Sequence, residues 1–256
     1  PYILSDIKYA VQDFFISKAG DFWALKLEKV GGVNFKISLI EKFNPITKIH
    51  KTFPVSLKVA YDVLEPIIED RNGYIWVCGL NGQVLTLNPA TGAVHDFNIY
   101  ADASKPMLTD AIITAFYQDG KGDFWIGTEE GLAKMQYDHT SKAQPKLTWY
   151  KNKSNDKNSL NFNYVSSFLD DPLDNNLLWI STKGGGLNIV DKTTGKFTHI
   201  TTQEGLCNNV VYGLLADEES NIWGSTNNGI FCLLNKRKDK QGSWLFRHFT
   251  KTDGLQ

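Results

Sequence analysis

Tryptophan recurs along this chain at Trp23, Trp76, Trp125, Trp179 and Trp223, at intervals of 53, 49, 54 and 44 residues. Four of the five are followed six residues later by a glycine, at Gly82, Gly131, Gly185 and Gly229, and Lys29 takes that place after Trp23. A period of this size restricts the chain to repeat architectures, in which one unit cannot bury its hydrophobic face alone and neighbouring units build the core together. It also moves the functional question from a single local motif to a surface assembled from several units.

The last unit shows the plan. Val210 to Ala216 is a short apolar run rich in β-branched and aromatic residues and reads as a buried strand. Asp217 to Asn221 is a turn, and Ile222 to Thr226 is a second strand. Asn227-Asn228-Gly229 is a tight turn of the Asn-Gly kind, where a positive φ costs little. Ile230 to Leu234 is a third strand, Asn235 to Gly242 a basic loop, and Trp244 to Thr250 a fourth strand. This is a four-stranded antiparallel meander of the size of one propeller blade. The same plan repeats over units of about 1–60, 61–108, 109–161, 162–208 and 209–256. In the first unit the second and third strands look longer and meet through Val30-Gly31-Gly32-Val33. The tryptophan on each second strand is expected to fill the wedge between blades. The residue before the following turn (Gly79, Thr128, Thr182, Thr226) is expected to be there because it is small. Cys78, matched by Gly127, Ser181 and Ser225, reads as packing. The fold class is therefore all-β, a β-propeller of four-stranded blades, with five units that form a five-bladed ring or an arc of a larger one.

The stretches Asp119–Leu132 (DGKGDFWIGTEEGL) and Asp217–Ile230 (DEESNIWGSTNNGI) share a pattern of Asp, Gly, Trp and Thr at fixed spacing. A closing phrase, Phe197 to Leu206, matches Phe246 to Leu255 at an offset of 49 residues. Together these resemble the two-component regulator propeller repeat, over essentially the whole chain. Unit one departs from the pattern, and unit four carries the insertion Asp171-Pro172-Leu173-Asp174. The resemblance implies a periplasmic sensor region of a bacterial hybrid two-component regulator, held in the inner membrane by other segments. It further implies an oligosaccharide ligand, control of glycan-utilisation genes, a homodimer through the full-length sensor, and a histidine kinase elsewhere in that protein. The chain begins at Pro1 without a basic n-region or apolar h-region, and its repeat phrase stops at Gln256 where another unit would begin. We read it as an excised piece of such a sensor.

The chemistry of catalysis is hard to find. The five histidines, His50, His95, His139, His199 and His248, form no metal-ligand spacing, and four fall on or beside outermost strands. There is no nucleophile elbow and no phosphate loop, and Gly184-Gly185-Gly186 occupies the regular turn position. No cofactor and no metal are expected. Asp70, Asp119, Asp170 and Asp217 stand on the first turn of successive units and are expected to accept N–H groups of that turn. The run Lys236-Arg237-Lys238-Asp239-Lys240 reads as a solvated loop, and a net charge of −1 offers no field for nucleic acid. Alternating strand direction puts the second-to-third-strand turn and the linker to the next blade on one face. The candidate ligand residues there are Asn81, Glu129, Glu130, Lys183, Asn227, Asn228 and Asn208, beside linker amides at Asn161, Asn163 and Asn209. Amides and carboxylates suit sugar hydroxyls, although Asn is also simply a good turn residue. The competing readings are a propeller lyase or glycosidase, which would need an acid/base pair that only Glu129-Glu130 approaches, and a protein-interaction scaffold.

Overall fold

The computed structural model describes residues 10–31, 34–59, 66–100, 112–140 and 145–255. It contains five four-stranded antiparallel sheets, each a meander in chain order. Blade one is β1 (Ala10–Ile16), β2 (Phe22–Gly31), β3 (Asn34–Phe43) and β4 (His50–Val59). Blade two is β5 (Ile67–Glu69), β6 (Ile75–Cys78), β7 (Gln83–Leu87) and β8 (Val94–Asn98). Blade three is β9 (Ile113–Gln118), β10 (Phe124–Thr128), β11 (Gly131–Gln136) and β12 (Lys146–Tyr150). Blade four is β13 (Val165–Asp170), β14 (Leu177–Thr182), β15 (Leu187–Asp191) and β16 (Phe197–Ile200). Blade five is β17 (Val211–Ala216), β18 (Ile222–Thr226), β19 (Gly229–Lys238) and β20 (Trp244–Phe249). The chain divides into two compact units, 1–113 and 114–256. The long strands of blade one are as expected; Gly32 and Val33 lie outside the described residues.

In the first unit, Trp23 of blade one packs with Ile75, Val77, Leu85 and Leu87 of blade two. In the second, Trp125 lies among Val165, Phe168, Leu178 and Ile180 of blade four, and Trp179 among Val211, Leu214, Ile222 and Phe231 of blade five. Each of these rings fills the seam to the following blade, and their side chains are 0–2% exposed. Trp223 is only half-buried and stacks on Phe249 of its own blade.

The tryptophans are held by a device that the spacing of Trp and Gly does not reveal. In four of the five blades the indole Nε1–H donates to a carboxylate: Trp76 to Asp70 (2.9 Å), Trp125 to Asp119 (2.9 Å), Trp179 to Asp171 (2.6 Å) and Trp223 to Asp217 (2.8 Å). The other oxygen of each carboxylate accepts N–H groups of the first turn, for example Lys121 and Asp123 on Asp119. The expected turn role therefore holds for Asp70, Asp119 and Asp217, but in unit four it belongs to Asp171 and not to Asp170. The insertion lengthens that turn, so the clamp aspartate stands eight residues before its tryptophan. Asp170 faces the previous blade instead, accepting from the Gly120 N–H (2.6 Å) and from Lys192 Nζ (2.5 Å). Glu69 does the same for Lys18 N–H in the first unit. After Asp171 comes Pro172, which has no N–H to give, and the matching position at the end of β17 is the uncharged Ala216.

A cation from the following blade completes the clamp. Lys192, whose side chain is 1% exposed, reaches Asp119 at 3.4 Å, and Arg237 reaches Asp171 at 3.6 Å while lying over the Trp179 ring. This corrects the reading of Lys236–Lys240 as a solvated loop at Arg237, whereas Lys238, Asp239 and Lys240 are exposed as expected. The stretch Asn235–Lys238 continues β19, and an irregularity between Leu233 and Lys238 turns Arg237, at φ 57°, inward. Burial lowers the Arg237 pKa and the Asp171 charge opposes that shift. Blade one breaks the device. Ser17 stands six residues before Trp23 in place of the aspartate, and the Trp23 indole N–H has no hydrogen-bond partner among the described residues. Blade two correspondingly puts Pro89 where blade four has Lys192. Carboxylate and cation are absent together.

The turn after each second strand also differs in detail from expectation. Thr128, Thr182 and Thr226 are not there only because they are small: each hydroxyl donates to the carbonyl of the glycine that closes the turn and accepts an N–H inside it. In blade four that closing glycine is Gly186, not Gly185, because the turn is one residue longer. At Gly229, φ is +86° and a Cβ would lie 2.1 Å from the Phe249 carbonyl oxygen, so both conformation and space require glycine. Asn227 and Asn228 themselves keep negative φ; Asn81 is the exception at φ 56°.

Candidate functional site

Within each described blade the turn after the second strand lies at the same edge as the linker into the next inner strand. In blade four this is explicit: Lys183 N–H donates to Tyr164 O, and Gly184 and Gly186 N–H donate to Asn209 O of the linker. Most of the asparagines at this edge are spent on the backbone. Asn208 Oδ1 accepts Val210 N–H, Asn209 Oδ1 accepts Thr202 N–H, Asn161 Nδ2 donates to Gly185 O, and Asn163 Oδ1 accepts Asn152 N–H. Asn228 Nδ2 reaches Cys207 O at 3.4 Å. These residues build the linkers.

Lys183 and Asn227 are different, because two tyrosines, Tyr164 just before β13 and Tyr212 on β17, bring them together. A bulge in β17 between Val211 and Gly213 makes Tyr212 the extra residue. A bulge re-aims the side chain it carries, and Tyr212 stands exposed at the edge. Its hydroxyl donates to Asn227 Oδ1 at 2.6 Å. Lys183 Nζ lies 4.4 Å from the Tyr164 ring centre, 3.2 Å from the Tyr164 hydroxyl, and 5.8 Å from the Tyr212 ring centre. The equivalent bulge in β13 carries Ser166, whose hydroxyl donates to Val211 O and ties the two inner strands together. The result is one cation between two aromatic rings with an amide at the margin. Phe162, also exposed, covers Gly184 nearby, where a Cβ would come within 2.6 Å of its ring.

The remaining candidates sit elsewhere. Glu130, in blade three, pairs with Lys151 at 3.5 Å, and Glu129 beside it is exposed. Asn81 belongs to the first unit, where its carbonyl accepts from Asn98 Nδ2. The sequence reading missed Tyr164 and Tyr212. A signal was available: Tyr212 stands where blades three and four carry the hydroxyl residues Thr114 and Ser166, each bonded to the neighbouring inner strand. Among the described residues no group of three metal-ligating side chains converges. Cys78 and Cys232 are buried, Cys207 half-buried, and burial raises the Cys232 pKa. No helix among the described residues is long and apolar enough to cross a membrane.

Comparison with known proteins agrees with this geometry at the level of fold. No curated protein matches the chain in sequence. Virginiamycin B lyase from Staphylococcus aureus superposes with a TM-score of 0.62 at 11% identity, covering 94% of this chain and 70% of the lyase. PorZ, a surface component of the type-IX secretion system of Porphyromonas gingivalis, gives 0.64 at 15% identity, over 94% of this chain and 39% of PorZ. The extracellular domain of BT3049 from B. thetaiotaomicron, assigned as a hybrid two component system, gives 0.59 at 18% identity, over 96% of this chain and 35% of that one. The chain thus spans well under half of the latter two. Residues 107–130, which include the blade-three clamp Asp119–Trp125, match the two component regulator propeller model. The chain therefore has a β-propeller fold and carries a two component regulator propeller repeat, as its Asp–Trp–Gly pattern led us to expect.

Proposed function

We propose that this chain is an extracytoplasmic, non-catalytic sensor region of a two-component regulator and that it binds an oligosaccharide at the edge formed by Tyr164, Lys183, Tyr212 and Asn227. The observation that carries the reading is the cation held between two tyrosine rings beside an amide. Sugar recognition uses aromatic faces against the C–H surface of a ring, with amide and charged groups on its hydroxyls. The matched repeat at residues 107–130 supports the two-component assignment. The extracellular placement of the BT3049 domain supports the location. A binding role suits this edge better than acid/base catalysis, because Tyr164, Lys183, Tyr212 and Asn227 include no carboxylate.

The signalling mechanism follows from linkage: a ligand that binds one arrangement of the sensor better than another shifts the population toward it. The test is calorimetric titration with a panel of plant and host oligosaccharides, followed by the Tyr212→Ala, Lys183→Ala and Asn227→Ala combination. Loss of binding in the combined variant supports the site. Retained affinity, or turnover of the oligosaccharide into product, refutes this reading.

A further inference from the structure

A second site emerges from a charge arrangement in blade one. Trp23, Lys42 and Lys51 are register partners in a row across β2, β3 and β4, so the two lysines stand directly opposite each other. Like charges in that relation oppose sheet formation. The same row carries Thr86 and His95 in blade two, Lys134 and Thr148 in blade three, Ile189 and Thr198 in blade four, and Cys232 and Arg247 in blade five. Blade one is thus the blade whose row pairs two lysines. Asp21 compensates Lys42, as Asp123 compensates Lys134 in blade three, so Lys51 is the charge that breaks the local rule, and a local rule so broken points to function.

The lysines open onto a cleft of about 480 Å³ lined also by Asn72, Tyr74, Pro89 and Ala90 of blade two. A smaller hollow of about 280 Å³ continues it past Asp21 and Asn44. Pro89 is the residue that replaces the buried cation found in blade four, so this seam is left unfilled by the clamp. Asp21 takes up Lys42 at 2.5 Å and Asn44 at 2.6 Å. Lys51 is exposed and has no ion-pair partner among the described residues. The cleft volume falls within the usual range for small-ligand sites, roughly 300–1,000 Å³. A bare oxyanion would fill a small part of it. Pro89 and Ala90 supply an apolar wall, and Asn72 and Tyr74 supply polar groups around it.

We propose that this cleft binds an anion larger than a bare oxyanion, with its charge on Lys51 and Lys42; resting on the oligosaccharide-sensor reading above, we take it to be a pyranose bearing a carboxylate or a sulfate. The cleft lies at the edge of blade two that carries the Asn72–Tyr74 and Asn88–Ala90 turns, away from Asn81. The experiment is calorimetric titration of the chain at low ionic strength with digalacturonate and with glucose 6-sulfate. Neutral galactobiose and inorganic sulfate serve as comparisons.

At least one of the acidic sugars binds, more tightly than either comparison, and its affinity falls with added salt. Lys51→Thr, the residue of blades three and four in this row, weakens it by about tenfold or more, as expected for a lost charge-assisted contact. Because Lys51 is exposed and its removal relieves a like-charge pair, that variant keeps or raises the melting temperature. Tyr212→Ala leaves this affinity unchanged, which separates the cleft from the edge proposed above. The inference is overturned by galactobiose or sulfate binding as tightly as the acidic sugars, by neither acidic sugar binding, or by unaltered affinity in Lys51→Thr.

Discussion

Replacing Trp125 by Phe should cost much more than the same replacement at Trp23. Both rings lie on second strands, both fill a seam to the following blade, and both are at most 2% exposed. The loss of ring area and the cavity left behind are therefore alike in the two variants, and they cancel in the comparison. What remains is the indole N–H. At Trp125 it donates to Asp119 at 2.9 Å, a hydrogen bond to a charged acceptor, whose net contribution is about 1.5–3 kcal/mol. At Trp23 it is buried without a partner among the described residues, and deleting an unsatisfied buried donor returns about 1–3 kcal/mol. Trp125→Phe should thus be more destabilising than Trp23→Phe by at least about 2.5 kcal/mol. Urea unfolding followed by far-ultraviolet circular dichroism measures this, with each variant compared against the transition of its own compact unit. Phe at position 23 is expected to be close to neutral. Equal costs at the two positions would refute the claim that the carboxylate clamp holds the tryptophans.

Two further expectations concern the same scaffold. Gly229→Ala forces a Cβ against the Phe249 carbonyl at a φ of +86°, and should cost at least about 2 kcal/mol by the same unfolding measurement, with no recovery from surface stabilisation elsewhere. Hydrogen bonds from Trp223 and Asn221 hold the Asp217 pKa below its ordinary value of 3.8, so its contribution to stability is complete above that value and disappears as the pH falls through the lower folded-state value; Asp217→Asn should flatten the decline in melting temperature below about pH 4, and an unchanged acid limb would argue against it.

How much of this was legible beforehand depends on whether an interaction is local in sequence. The period of the tryptophans and the alternation of strands determined the number of sheets, their order and the edge at which second turns and linkers meet. The partner of each indole was not legible, because a carboxylate beside a turn has a sufficient local explanation in the turn itself. The insertion after Asp171 then shifted the assignment to Asp170 by one residue. Arg237 was misjudged for a related reason: a run of five residues with four cations reads as solvated unless one knows that a bulge turns the second of them toward a neighbouring blade. At the candidate site, the placement of Lys183 and Asn227 on turns followed from topology. Of the tyrosines that join them, Tyr164 lies just before an inner strand and Tyr212 on one, and Tyr212 reaches the edge only through a bulge that composition does not announce. The paired lysines of blade one were equally hidden, since Lys42 and Lys51 meet only once the register of β3 and β4 is known.

The matched absence of Asp at position 17 and of a cation at position 89 bears on how such a chain can change over time. Restoring the carboxylate alone would bury a charge with no cation opposite it, and restoring the cation alone would bury a lysine against a serine. Each single step is unfavourable where the double step is not. A blade is therefore not a free cassette at the seams between blades three and four and between blades four and five: there one blade supplies the anion and the next supplies the cation. The heritable module runs from the third strand of one blade back to the first turn of its predecessor, and recombination that cuts within that stretch leaves one ion stranded.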